Sequence, residues 1–233
     1  MRKTGLQLTM KTMYFTQENI NSQAMELANE LPESLDKQKS IFEPRQSALL
    51  ILDMQSYFLE SSSHAYIPSA AAIVPGLKDL AQAYYALNLP VLFTQHLNSA
   101  MDAGSMSRWW QDLITIENPL SAIIPDFDFS NRYVLQKNQY DAFYQTDLEE
   151  NLKNQGVSQV VVSGVMTHLC CETTARSAFV RGFEVFFLID GTATYNKDHH
   201  LATLLNLSHG FANLMLSGEI LIALDHLSGK KTT

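Results

Sequence analysis

Six short apolar runs, separated by stretches of helical periodicity, limit the folds open to this chain. They lie at residues 47–53 (SALLILD), 90–95 (PVLFTQ), 132–136 (RYVLQ), 158–166 (SQVVVSGVM), 184–190 (EVFFLID) and 219–224 (EILIAL). Each is shorter than a typical helix and mainly apolar, with its polar residues mostly at the ends, as expected of strands buried on both faces of a parallel sheet. Between them, IVPGLKDLAQAYYALN (73–88) repeats apolar residues at three- and four-residue spacing. TDLEENLKNQG has Thr146 as N-cap, Glu149 as its capping-box partner and Gly156 as stop; CETTARSAFVRG closes on Gly182 and DHHLATLLNLSHGFANLMLSG on Gly218. Strands joined by helices predict a three-layer α/β/α, Rossmann-like fold with a six-stranded, mainly parallel sheet in the order 3-2-1-4-5-6.

The length of 233 residues suits one such domain. Residues 1–44 are polar and punctuated by Pro32 and Pro44, and read as an N-terminal arm that packs on the domain or on a neighbouring subunit; residues 45–233 read as the domain itself. A net charge of -8 without a basic cluster argues against nucleic acid and for a small-molecule partner. No apolar run approaches the roughly 20 residues that cross a bilayer, so no membrane partner is expected. The two cysteines are neighbours, which disfavours a structural disulfide, and the first residues have no apolar export segment; a reducing cytoplasm is the expected home. GxGxxG and GxxxxGK[ST] are both absent, and no cofactor is expected.

The chemistry concentrates at strand ends. In VVVSGVMTHLCCETTARSAF an apolar strand passes through a turn into a helix opening on Cys170, where unpaired N–H groups and the helix dipole favour a thiolate. Cys171 reads as inert packing. Asp53 ends the first strand and Lys137 the third, completing a nucleophile, a base and a cation. With the strand order above, Asp53 and Cys170 flank the point where the order reverses, which is where open parallel sheets bind ligands.

Through FEPRQSALLILDMQSYFL, VLQKNQYDAFYQTDLEENL and SGVMTHLCCETTARSAFVRGFEVFFLIDGTAT, residues 42–224 resemble the isochorismatase-like hydrolases, a superfamily of cysteine amidohydrolases that also holds the isochorismate hydrolases. The resemblance implies Asp53 as general acid/base, Lys137 as the cation that keeps it ionised, and Cys170 as nucleophile. It also implies a cis peptide at Val165 and Met166, forming an oxyanion hole with the N–H of Cys170. The implied reaction is cleavage of a C–N bond of a small amide by acyl transfer. His168 stands where cysteine hydrolases of the family commonly have Asp, and with FEPR and the polar arm it is similar to the isochorismate-cleaving branch. A second reading is therefore isochorismate pyruvate-hydrolase, a vinyl-ether hydrolysis with protonated Asp53 as acid. A third is a catalytically silent binding or scaffold protein. The resemblance also implies a homo-oligomer, dimer or tetramer.

His96, Arg108, Trp110, Tyr140 and His168 are the candidate substrate-binding residues. Arg108 would meet a substrate carboxylate, and Trp110 with Trp109 would cap the pocket. Nicotinamide-cleaving relatives hold a metal through an Asp-x-His pair and a second His. The loop after Asp53 has His64 but no such pair, so no metal is expected and nicotinamide is the weaker substrate. His199 and His200 diverge on their helix and read as solvated.

Overall fold

The computed structural model describes residues 10–32, 40–110, 112–130 and 132–229. Strand β1 (Ser47–Leu52), buried along its whole length, is the axis of the sheet. It pairs in parallel with β2 (Val91–His96) on one side and β4 (Gln159–Val165) on the other. Strand β3 (Tyr133–Lys137) adds to β2, β5 (Glu184–Ala193) to β4, and β6 (Asn213–Met215) to β5. The order is β3-β2-β1-β4-β5-β6, as the alternation of runs predicts, and every ladder is parallel.

Crossover helices cover the sheet. After β1 comes α3 (Ala70–Ala86); α5 (Leu148–Asn154) leads into β4, α6 (Glu172–Val180) joins β4 to β5, and α7 (Lys197–Gly210) joins β5 to β6. Because the strand order reverses after β3, right-handed crossovers place α3 and α6 on opposite faces. Helix α8 (Ser217–Ser228) packs on α3, and α6 packs on α7. Gly156 and Gly182 follow α5 and α6 with φ of 72° and 86°, the left-handed geometry that ends a helix. The expected Thr146 cap differs in detail: its hydroxyl accepts from Leu148 N but also donates to Ala142 O, and Asp147 takes the cap position without a side-chain bond to the helix.

The sixth strand is not where the apolar pattern puts it. Residues 219–224 lie inside α8, and the strand is the shorter segment before it. In EILIAL, Ile220 and Leu224 are buried while Ile222 is exposed, the stripe of a helix rather than a two-sided strand. The carboxylate of Glu219 accepts from Leu216 N, and Asp190 accepts from Ser217 N and Oγ, so polar groups satisfy the helix start.

Residues 10–32 of the expected arm add buried side chains to the core. Helix α1 (Ile20–Asn29) buries Ala24 and Leu27, and the segment before it buries Tyr14 and Phe15. The Tyr14 hydroxyl accepts from Thr194 N at 3.0 Å and meets His200 Nδ1 at 2.9 Å. His200 is therefore fully buried, contrary to its reading as a solvated helix residue. Residues 1–9 and 33–39 of the arm lie outside the described residues. Among the described residues no helix is long and apolar enough to cross a membrane.

Candidate active site

The carboxyl ends of four strands meet around one buried cation. Asp53 leaves β1 with φ 52°, a left-handed turn that aspartate tolerates better than most residues. Thr94 of β2 fixes it twice: its hydroxyl accepts from Asp53 N at 3.0 Å and donates to Oδ1 at 2.6 Å. On the other side β4 presses against β1 so closely that only glycine fits. Gly164 has φ 103°, and a Cβ there would stand 2.1 Å from Leu52 O. The next peptide, Val165–Met166, is cis.

A single π turn (Thr167–Cys171) then leads into α6, with Cys171 N reaching back five residues to Met166 O at 3.2 Å. Cys170 thus sits within the first turn rather than opening the helix. Cys171 is buried, its sulfur 3.7 Å from Ser163 O, and does not line the cavity described below.

Lys137 is the last residue of β3, two strands away from β1, and its side chain is buried. Its Nζ donates to Gln139 O at 2.9 Å, to Cys170 Sγ at 3.4 Å and meets His96 Nδ1 at 3.4 Å. It also stands 2.7 Å from Asp53 Oδ2, both side chains having no solvent exposure. At that distance between a buried ammonium and a buried carboxylate, the contact is a charge-assisted hydrogen bond as well as an ion pair.

Burial alone would push the Asp53 carboxyl up, but Lys137 and then His96 bring it below the ordinary carboxylate range. The Lys137 ammonium, also opposed by burial, is held above its usual value by Asp53. Burial pushes the Cys170 thiol up and Asp53 adds to the effect, with Lys137 opposing both. The resting state is thus an ion pair beside a neutral thiol. A helix terminus predicts an activated thiolate; here desolvation and the adjacent carboxylate outweigh it.

Asp53, His96 and Cys170 bring donor atoms within 4.8 Å of one another, the spacing of a metal site. The donors do not fit a metal ion, because the Lys137 ammonium already occupies the cation's place among them. His64, the other residue considered for metal, meets Tyr57 Oη at 3.2 Å and Asp112 Oδ2 at 3.5 Å.

Cys170 opens onto a cavity of about 50 Å3. His96, Trp110 and Tyr140 line it, and Trp110 Nε1 donates to the Tyr140 hydroxyl at 2.7 Å. Two other candidates stand elsewhere. Arg108 lies exposed on the short helix α4 (Met106–Trp109), beside an exposed Trp109, and does not line the cavity. His168 also stays outside the lining; it stacks on His199 at 4.4 Å and bonds Thr194 Oγ1 at 2.6 Å.

Sequence reasoning missed much of the remaining wall, which includes Tyr57 and Phe58 on α2 (Ser56–Leu59) and Asn98, Asp112 and Ile114 from the long insertion at 97–131 between β2 and β3. The insertion itself is visible as a break in the strand–helix rhythm. Nothing in its residue pattern tells which side chains turn toward the thiol.

An isochorismatase-domain family profile matches residues 47–219. Nicotinamidase 3 of Arabidopsis thaliana is 41% identical over 174 residues, covering 72% of this chain and 84% of that protein. Enterobactin synthase component B of Escherichia coli (strain K12) is 31% identical over 205 residues, covering 83% of this chain and 70% of that protein. A cysteine hydrolase from Pseudomonas syringae pv. phaseolicola superposes with a TM-score of 0.77 at 24% identity, covering 81% of this chain and 96% of that one, a likeness of fold.

Proposed function

This chain belongs to the isochorismatase family of hydrolases, and from that premise we propose that it is a cysteine amidohydrolase cleaving the C–N bond of a small planar amide, with nicotinamide first among the substrates. The observation that carries the reading is the contact set of Lys137, with Asp53 at 2.7 Å on one side and the Cys170 sulfur at 3.4 Å on the other. It supplies a base, a cation and a nucleophile at one wall of a cavity. Tyr57, Phe58, Trp110 and Tyr140 give that cavity an aromatic lining, which favours a planar apolar ring over a charged chain. The relative named Nicotinamidase 3 brings nicotinamide to the front, ahead of its rank in the sequence reading.

Because the resting thiol is neutral, no free thiolate accumulates. As Sγ bonds to the amide carbon, its proton passes to Asp53, and the carbonyl oxygen takes up the negative charge. The backbone N–H groups of Met166 and Cys170 are the proposed donors to that oxygen; removing one such donor typically costs about 10²- to 10³-fold in rate. Asp53 then gives its proton to the nitrogen as the C–N bond breaks and ammonia leaves. Water attacks the thioester, Asp53 takes its proton, and Sγ regains a proton as the acid departs. Lys137 stays charged throughout, balancing first the carboxylate and then the sulfur.

The vinyl-ether reaction is the second reading, suited to the 31% identity with enterobactin synthase component B. It needs a protonated Asp53 as acid, and a carboxylate held below its ordinary range by Lys137 opposes that. The two reactions separate in one experiment. Wild type and Cys170→Ala are given nicotinamide and isochorismate in parallel, with ammonia and pyruvate as readouts. The expected result is ammonia from nicotinamide with wild type alone; pyruvate from isochorismate with both proteins would overturn the reading.

A further inference from the structure

The geometry points to the Trp110 indole as a gate that sets the size of molecule reaching Cys170, latched by its hydrogen bond to Tyr140. The cavity in front of the thiol measures about 50 Å3, room for about one or two waters, whereas a cavity that accepts benzene measures about 150 Å3. A six-membered ring bearing a carboxamide therefore cannot enter until part of the wall moves. Much of that wall is fixed, since Phe58, His96, Asn98, Met106, Ile114 and Met166 are all buried. Trp110 and Tyr140 are partly exposed, and Trp110 Nε1 donates to Tyr140 Oη at 2.7 Å, joining the insertion to the segment after β3.

Tyr140 is the fixed half of the latch. The Thr174 hydroxyl of α6 donates to Tyr140 O at 3.4 Å and accepts from Ala142 N at 3.0 Å, which ties the backbone carrying Tyr140 to the helix that follows Cys170. Trp110 is the movable half. The backbone bonds beside it close within its own segment, from Trp110 N to Met106 O at 3.0 Å and from Trp109 N to Ser105 O at 3.1 Å. Met106 is buried and anchors α4, so rotation of the indole, rather than of the helix, opens the cavity. Asp112 and His64 also link the insertion to another wall, but at 3.5 Å and with the Asp112 side chain 62% exposed that pair adds little. The neutral bond to Tyr140 is worth a bias of about threefold to tenfold toward the closed state. A ligand that needs the open state binds more weakly in proportion.

The step from gate to substrate rests on the cysteine amidohydrolase reading, so the gate is tested without substrate. Trp110→Phe removes the donor and Tyr140→Phe the acceptor, each keeping an aromatic ring. Modification of Cys170, located by mass spectrometry, is timed with iodoacetamide, too bulky for the closed cavity, and with hydrogen peroxide, little larger than water. Iodoacetamide should react roughly threefold to tenfold faster with either variant than with wild type, and peroxide at the wild-type rate. The double variant should be no faster than the faster single one, because both changes break the same bond. Unchanged iodoacetamide rates in both single variants, effects that multiply in the double variant, or a parallel rise with peroxide overturn the gate. The expected pattern from a protein inactive on nicotinamide would uphold the gate and overturn the substrate reading alone.

Discussion

Replacing Lys137 by Met should make the stability of this protein depend on pH between 5.5 and 7.5, where the wild type has no such dependence from Asp53. In the wild type the folded carboxyl lies below its unfolded value of about 3.9, so its contribution is fully present above that pH and is lost only as pH falls through the folded value. Methionine fills much of the same volume but leaves Asp53 in a site with no solvent exposure, held by the Thr94 hydroxyl and facing no cation. The folded carboxyl then rises above its unfolded value and takes up a proton. The sign reverses, and the penalty grows as pH climbs from about 4 toward the new folded value.

Keeping that carboxyl neutral costs about 2 kcal/mol at pH 5.5 and about 5 kcal/mol at pH 7.5. The upper figure agrees with the roughly 3–5 kcal/mol lost when one partner of a buried ion pair is removed. Urea unfolding of both proteins at pH 5.5, 6.5 and 7.5 reads the difference directly, as a gap in ΔG that widens by about 1.4 kcal/mol per pH unit. A gap that stays constant across this range refutes the reasoning. It would mean that Asp53 remains ionised without Lys137 and that the ion pair does not set its protonation.

Three further outcomes follow from the geometry. Gly164→Ala should prevent folding, since its Cβ would meet Leu52 O at 2.1 Å, whereas Gly156→Ala, with open space around it, should cost about 1–2 kcal/mol from its left-handed backbone alone; thermal melts of the two compare them, and a well-folded Gly164→Ala protein refutes the close approach. Tyr14→Phe should orphan Thr194 N and His200 Nδ1 and cost about 1–3 kcal/mol, a fall in Tm of roughly 2–12 °C; an unchanged Tm would show that the arm does not brace this region. The acid limb of kcat/KM for the wild type should lie below about pH 4, because Asp53 must be ionised to accept the thiol proton and Lys137 keeps it so; a limb near pH 6 contradicts the assignment of Asp53 as base.

The sheet order was legible because buried parallel strands must be apolar on both faces, and the interior strands at 47–52, 159–165 and 184–193 carry that pattern strongly. The edge was less so. The run 219–224 is apolar enough for a strand, and periodicity over six residues does not separate it from a helix with one buried stripe. Strand β6, three half-buried residues long, carries no comparable signal.

Asp53 and Cys170 were visible because they follow the two strands at the reversal of order, where such groups converge, whereas Lys137 ends the edge strand β3 and was pointed to by the family resemblance. The pocket wall was not, since Tyr57, Asn98 and Asp112 come from irregular segments whose side-chain directions depend on tertiary packing. Nor was the protonation state of Cys170, because position on a helix says nothing about how completely the surrounding chain excludes water. His200 shows the same limit: its helix suits a solvated residue, and only the arm folding back over it, with Tyr14 against its ring, makes it a core residue.

The seam between β1 and β4 ties the timing of folding to the appearance of chemistry. Ser163 Oγ on β4 bonds Leu50 O on β1 across 113 residues of chain, and Asp53 and Cys170, the proposed base and nucleophile, follow the two strands of that seam. Closing so long a loop costs entropy before any contact repays it, so this pairing is a slow event in the assembly of the sheet. No fragment that stops short of β4 holds both the carboxylate and the thiol. Enzymatic turnover during refolding is therefore a clock for the joining of the two halves, silent while local helices form and starting only when the seam closes.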